Sequence, residues 1–303
     1  MPNHKTIKKI LGCWQLYVLI LPTLLYLTLF SYKPMYGVIL AFKDYKPTLG
    51  IWNSQWVGLK HFVRFINGTR FWPVISNTLL LSVYGMIVGF PLPIILALSL
   101  NSLHSNKFRR TVQTVTYAPH FVSVIVVVGM MSIMFHPDRG IINLIITALG
   151  GTPKFFMGEA RYFRAMHIGS GIWSGLGWSS IIYLSALSAT DPYLHEAAVI
   201  DGASRMKRIR HVDLPTIAPT IGMLLILNMG GLLSVGFTKA FLMQNTVNFP
   251  VSEVISTYVY RLGFTDFQYS FSTAVGLFNS IISIALVIMA NTISKRVSEV
   301  GIW

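Results

Sequence analysis

Residues 195–217 read HEAAVIDGASRMKRIRHVDLPTI, a polar, charge-mixed and helix-forming stretch set between two long apolar runs, residues 165–189 and 217–243. Runs of about 20 residues are long enough to cross roughly 30 Å of hydrocarbon as helix. Four more recur at residues 11–30, 74–100, 115–135 and 269–293. With 303 residues, 53% of them hydrophobic and only 11% charged, the chain has the composition of a polytopic membrane protein rather than of a soluble domain. The runs are continuous and rich in Leu, Ile, Val and Met, without the short alternating segments of a strand barrel. The expected fold is an all-α membrane protein with six transmembrane helices.

Six spans put both termini on one side, which the density of Lys and Arg in short flanking segments assigns to the cytoplasm. The clusters are Lys5, Lys8 and Lys9; Lys107, Arg109 and Arg110; Arg205, Lys207, Arg208 and Arg210; Lys295 and Arg296. The external segments are then residues 31–72, 136–164 and 244–268. The chain divides into residues 1–72 (tail, first span and external segment), a core of residues 73–293 that contains the loop 191–215, and a cytoplasmic tail, residues 294–303. Tyr32, Tyr36, Phe42, Tyr45, Trp52, Trp56, Phe71 and Trp72 crowd the external edges and predict an interfacial belt with a small folded cap. Pro22, Pro91, Pro93, Pro119, Pro215 and Pro219 predict kinks. The single cysteine, Cys13, excludes an internal disulfide and a zinc cluster. The apolar run follows it, whereas that of a signal peptide would precede it, so the first helix is expected to be a retained span.

Asp191-Pro192 is a helix start, because the carboxylate accepts an orphan amide hydrogen and proline at the first position loses no hydrogen bond. Gly202 can end that helix with a sharp turn. A second, basic helix over residues 203–211 leads to Leu214-Pro215 and the next span. A lipid-sensing helix would favour a larger apolar face without Asp191, Glu196, Asp201 and Asp213, so a protein-docking surface is the stronger reading. The plain alternative is a solvated loop with its cations at the headgroups.

Glu196-Ala197-Ala198, then Ile200-Asp201-Gly202-Ala203, then Leu214-Pro215 resembles the EAA loop of permease subunits in binding-protein-dependent ABC importers, in the loop before the last two spans. The similarity extends to Phe30-Ser31-Tyr32, Pro34-Met35-Tyr36-Gly37, Ala41-Phe42-Lys43-Asp44-Tyr45, Trp56-Val57-Gly58-Leu59, Asn77-Thr78, residues 255–261 and residues 274–280. These resemble the carbohydrate-importing group, in its lipopolysaccharide-like and oligosaccharide permease branch. Glu253 stands where relatives often carry aspartate, which keeps the charge.

The resemblance implies a type I ABC importer transmembrane domain in a bacterial cell membrane. It gives Glu196, Ala197, Ala198, Asp201, Gly202, Leu214 and Pro215 the role of a coupling segment seated in a groove of a cytoplasmic ATPase. No G-x-x-x-x-G-K-[ST] loop occurs in the chain, so ATP and magnesium are expected on a separate ATPase, present in two copies. A second permease, a paralogue on the family pattern, an external solute-binding protein and an oligosaccharide complete the expected partners. No nucleic-acid partner is expected.

For the substrate path, Asn228, Lys239 and Asn279, with Gln244 nearby, are polar groups in or near the last two spans, and such groups usually face an interior or a cavity. Near the external end of its run, Lys239 reads first as a snorkelling side chain and second as a ligand contact. Asn228 and Asn279 fit interhelical hydrogen bonds as well as sugar contacts. Small residues along one run, Gly222, Gly230, Gly231 and Gly236, fit close packing of helices. Residues 31–72 carry Lys33, Lys43, Lys46, Lys60, Arg64 and Arg70 against Asp44 alone. That surplus fits long-range attraction of an anionic saccharide such as a uronate-bearing oligomer, or of an acidic binding protein, and equally anchoring to anionic headgroups.

Two other classes compete. An ion-coupled secondary transporter usually needs a titratable group within the spans, and here every Asp and Glu falls in a loop, tail or span boundary. An embedded enzyme would need a constellation such as H-E-x-x-H or G-x-S-x-G, and the eight histidines are scattered.

Overall fold

The computed structural model describes residues 12 and 14–298. The tail lysines Lys5, Lys8 and Lys9, Cys13 and residues 299–303 lie outside that range. Each apolar run falls on helix. Helix α1 (Trp14–Leu27), with Pro22 inside it, continues through a π turn and short helical pieces to Phe42 as one 29-residue rod. None of the α1 residues is buried, so its apolar surface is left to lipid or to another subunit. A small external cap follows, as the aromatic crowding predicts. Strand β1 (Lys43–Asp44) pairs antiparallel with β2 (Gln55–Trp56), Lys43 opposite Trp56, and leads to helix α2 (Lys60–Ile66).

Helices α3 (Phe71–Gly89) and α4 (Pro91–Asn101) form a 31-residue span jointed at Pro91 and Pro93. Next come α5 (Asn106–Tyr117), α6 (Val124–Met134), α7 (Ile141–Ala148) and the long α8 (Ala160–Leu187). The loop helices are α9 (Pro192–Ile200) and α10 (Arg205–Arg208), and a π turn joins α10 to α11 (Leu214–Gly230). Helices α12 (Phe237–Met243), α13 (Ile255–Tyr260) and α14 (Tyr269–Ser298) complete the bundle.

Among the described residues, four helices are long and apolar enough to cross a membrane: Trp14–Phe42, Phe71–Asn101, Arg205–Gly230 and Tyr269–Thr292. The bent pair α5 and α6 is long and apolar enough for a fifth when counted as one broken span. At 28 residues, α8 is roughly 42 Å long, but Arg161, Arg164 and His167 make it more polar than the others.

Two runs are broken. Over residues 115–135 the chain turns through 102° between Phe121 and Val124, directly after the 3-10 turn Ala118–Phe121, where Pro119 supplies no amide hydrogen. Ser123 then caps α6 by accepting from the Val126 amide at 3.4 Å. The run 217–243 stops at Gly230-Gly231 and restarts at Gly236, whose φ of 78° is a conformation that glycine adopts without strain.

Packing concentrates in three apolar clusters. The first joins α3, α6, α8 and α12 through Leu81, Val127, Met131, Phe163, Ala240 and Met243. At the external end Phe65, Val74, Ile255, Tyr258 and Phe271 pack α2, α3, α13 and α14 together. At the cytoplasmic end Ala97, Leu98, Tyr183, Leu187 and Ile217 lock α4, α8 and α11. The helices diverge between these clusters.

Candidate functional site

The cytoplasmic loop folds as its sequence predicts. The Asp191 carboxylate accepts from the Tyr193 amide at 3.0 Å, with Pro192 at the first helical position. The helix ends with the Gly202 amide donating to the Val199 carbonyl at 3.0 Å and the Ala203 amide to the Ala198 carbonyl at 2.8 Å. Those bonds need the positive φ of 70° found at Gly202. The structure brings Glu196, Ala197, Ala198, Asp201 and Gly202 together on α9 and its last turn, and sets Leu214 and Pro215 beyond α10 at the start of α11. No α9 residue is buried. Tyr193, Leu194 and Val199 are exposed, and Ile200 is 85% exposed.

One polar knot holds this helix to the bundle. Asp213, 2% exposed, accepts at one carboxylate oxygen from Asn101 Nδ2 at 3.2 Å and lies 3.2 Å from His195 Nε2. A group on the end of α4, one on α9 and one just before α11 thus converge on a single carboxylate. Spacing along the chain gives no signal for such a contact.

A cavity of about 580 Å³ opens between the apolar clusters, lined by α3, α4, α8, α11, α12 and the break between the last two. Along α8 its wall is His167, Gly171, Gly175, Trp178 and Ile182, a stripe at helical spacing that extends roughly 22 Å. Facing it on α3 and its joint with α4 are Ser82, Gly85, Met86 and Gly89. A Cβ at Gly85 or Gly175 would meet nothing within 4 Å, so these glycines widen the space and do not bring helices together. Gly231 and Gly236 also line it, whereas a Cβ at Gly230 would meet Val287 at 3.0 Å, which is packing within the chain. Trp178 lies in the wall and stacks on His120, with centroids 4.4 Å apart and planes 4° from parallel.

Of the sequence candidates, Asn228 and Lys239 line this cavity and Asn279 and Gln244 do not. Asn228 donates back to the Leu224 carbonyl at 2.7 Å. His167, Trp178 and Tyr183, which sequence reasoning passed over, join them. The external segment uses its cations at home. Lys43 is 9% exposed and donates to the carbonyls of Ile51 and Trp52 at 2.8 and 2.9 Å. Arg261 grips buried Glu253 at 2.6 Å, with Arg70 3.6 Å away on the other oxygen, and Asn77 ties α3 to the Pro250 and Glu253 carbonyls. Around this cluster, burial pushes the Tyr258 phenol above its ordinary range.

A family model for the binding-protein-dependent transport system inner membrane component matches residues 89–299. The chain belongs to that family. Protein LplB of Bacillus subtilis (strain 168) is 43% identical over 288 residues, which cover 95% of this chain and 91% of that protein. The polygalacturonan/rhamnogalacturonan transport system permease protein YteP of the same organism is also 43% identical over 288 residues, 95% of this chain and 90% of its own. The crystal structure of a bacterial ABC transporter involved in the import of the acidic polysaccharide alginate superposes with a TM-score of 0.90 at 38% identity, covering 97% of this chain and 100% of that one. A second crystal structure, of a bacterial alginate ABC transporter in complex with an alginate pentasaccharide-bound periplasmic protein, matches with the same TM-score and identity over 97% and 99%. The chain is therefore a multi-pass inner-membrane permease component of a sugar ABC importer, and the secondary-transporter and enzyme readings fall.

Proposed function

We propose that this permease forms half of the translocation path for an acidic, uronate-bearing oligosaccharide, delivered by an external binding protein and driven by a separate ATPase docked on α9. The observation that carries the reading is the superposition, over 97% of the chain, on a transporter for an acidic polysaccharide. The relative named for polygalacturonan and rhamnogalacturonan supports the same substrate class. In this reading a second permease, a paralogue, completes the path, and two ATPase copies bind ATP and magnesium.

The exposed face of α9 supports the docking role. Closure of the ATPase pair around nucleotide pushes Glu196, Ala197, Ala198, Asp201 and Gly202, and the Asp213 knot passes that displacement to α4 and α11. The spans then exchange outward-open and inward-open packings, because the docked helix makes different contacts in the two states.

The test is to tag the chain, purify it gently from its native membrane and identify near-stoichiometric companions by mass spectrometry. An ATPase and a second permease are expected; a lone protein, whatever the detergent, overturns the assembly. Uptake of a short oligogalacturonate by the complete transporter with its binding protein then tests the substrate class.

A further inference from the structure

We infer that Lys239, with His167 beside it, is the carboxylate-reading site inside the membrane, the place where a uronate group of the passing oligosaccharide is held. The inference rests on the acidic-saccharide reading above and assigns it to named atoms. Both side chains line the cavity. Among the described residues, neither an Asp nor a Glu lines it, and no protein acceptor or carboxylate pairs with the Lys239 ammonium. His167 is 7% exposed, and its Nε2 has no hydrogen-bond partner. An unpaired ammonium beside an orphaned buried imidazole nitrogen is costly in an apolar surround, and a ligand carboxylate would satisfy the ammonium, with the His167 ring as the wall behind it.

The surrounding backbone makes room for this placement. A Cβ at Gly171 would lie 3.0 Å from Lys239 Nζ, so any larger residue there displaces the ammonium. Gly171 sits 11 residues into α8, which begins at Ala160, so Nζ lies roughly 16 Å along that helix. A snorkelling lysine would send its charge to the headgroups instead. The break at Gly231–Gly236 and the restart of helix at Phe237 allow Lys239 to project into the cavity.

The chemistry discriminates by charge. A carboxylate meets the ammonium as an opposite charge as well as a hydrogen-bond acceptor, a charge-assisted bond about twice as strong as one between two neutral groups, whereas a neutral hydroxyl offers the ammonium no opposite charge. Lys239 is only partly buried, so water moderates the attraction and the sugar can leave. The low glycine walls and the Trp178 ring pass sugar rings along the same groove.

The experiment uses proteoliposomes holding the complete transporter, with saturating binding protein loaded with a short oligogalacturonate. Uptake and ATP hydrolysis are measured on the same vesicles. Lys239→Met is expected to lose uptake by about tenfold, the loss of one charge-assisted contact, while hydrolysis stimulated by the loaded binding protein persists. Lys239→Arg is expected to retain most uptake, and Gly171→Leu to behave like Lys239→Met. Uptake by Lys239→Met within about twofold of wild type overturns the assignment, as does parallel loss of uptake and stimulated hydrolysis in both Lys239 variants, which marks a structural lysine. Wild-type vesicles that import a neutral oligosaccharide but no oligogalacturonate remove the acidic-substrate reading itself, and this assignment with it.

Discussion

Asp213 joins three elements through one carboxylate, and its loss leaves two half-buried polar partners, Asn101 and His195, without their acceptor. Asp213→Leu is expected to cost about 1 kcal/mol, the net worth of hydrogen bonds whose remaining partners are half-exposed to water. It should lower the melting temperature of the purified assembly and abolish ATP-driven uptake; Asp213→Asn, which keeps one acceptor, should fall between. An unchanged melting temperature would mean that the knot carries no load. Gly202 makes the complementary case. Space around it is open, yet its φ is 70°, so Gly202→Val should cost about 1–2 kcal/mol through the backbone alone. Uptake should fall while membrane insertion and the yield of permease stay normal, and Glu196→Ala should do the same; normal uptake in both would count against docking on α9. The loop was legible because helix starts and stops are written locally, in Asp191-Pro192 and Gly202. The Asp213 knot was not, because Asn101 lies 112 positions away. The place of Lys239 on the cavity wall is hard to read for a related reason: depth counted along one straight helix fails where the helix breaks.

At the scale of elements, the sequence located every apolar run and, through Pro119, the bend in the run 115–135, but not the break in the run 217–243. A hydropathy run records how apolar a stretch is, and Leu232, Leu233 and Val235 keep that break apolar enough to hide it. What stabilises the bend lies on another helix. A Cβ at Gly177 of α8 would run into the Thr116 carbonyl and the Tyr117 ring, so this glycine lets the end of α5 pack directly on α8. Gly177→Ala is expected to force the two helices apart at about 1–3 kcal/mol, the usual cost of overpacking. It should reduce the monodisperse fraction in size-exclusion chromatography. Gly175→Ala, two residues away with nothing within 4 Å, is the control and should chromatograph as wild type. Equal behaviour of the two variants would show that the close approach at Gly177 is not required.

At the scale of the whole molecule, most cations of residues 31–72 that contribute to the formal net charge of +14 have short-range work within the fold. Of the six cations in residues 31–72, Lys43 is folded onto carbonyls, Lys60 lies 3.7 Å from Asp44, Arg64 rests on the Phe271 ring at 4.3 Å and Arg70 faces Glu253. Among the described residues, Lys33 and Lys46 are the cations of that segment whose side chains have no such partner. Two separated lysines do not focus a field as a lined cleft does. The structure thus weighs against steering as the purpose of the surplus and gives these cations to the external cap. Raising the ionic strength from about 0.1 M to about 1 M shortens the screening distance from about 10 Å to about 3 Å. The KM for loaded binding protein should then change by no more than about threefold, because most of these cations act through short contacts inside the cap. Discrimination of uronate by Lys239 should persist under the same salt, since partly buried charges are screened much less than exposed ones. A rise in KM of tenfold or more, matched by Lys33→Gln with Lys46→Gln at low salt, would restore steering as the work of the external face.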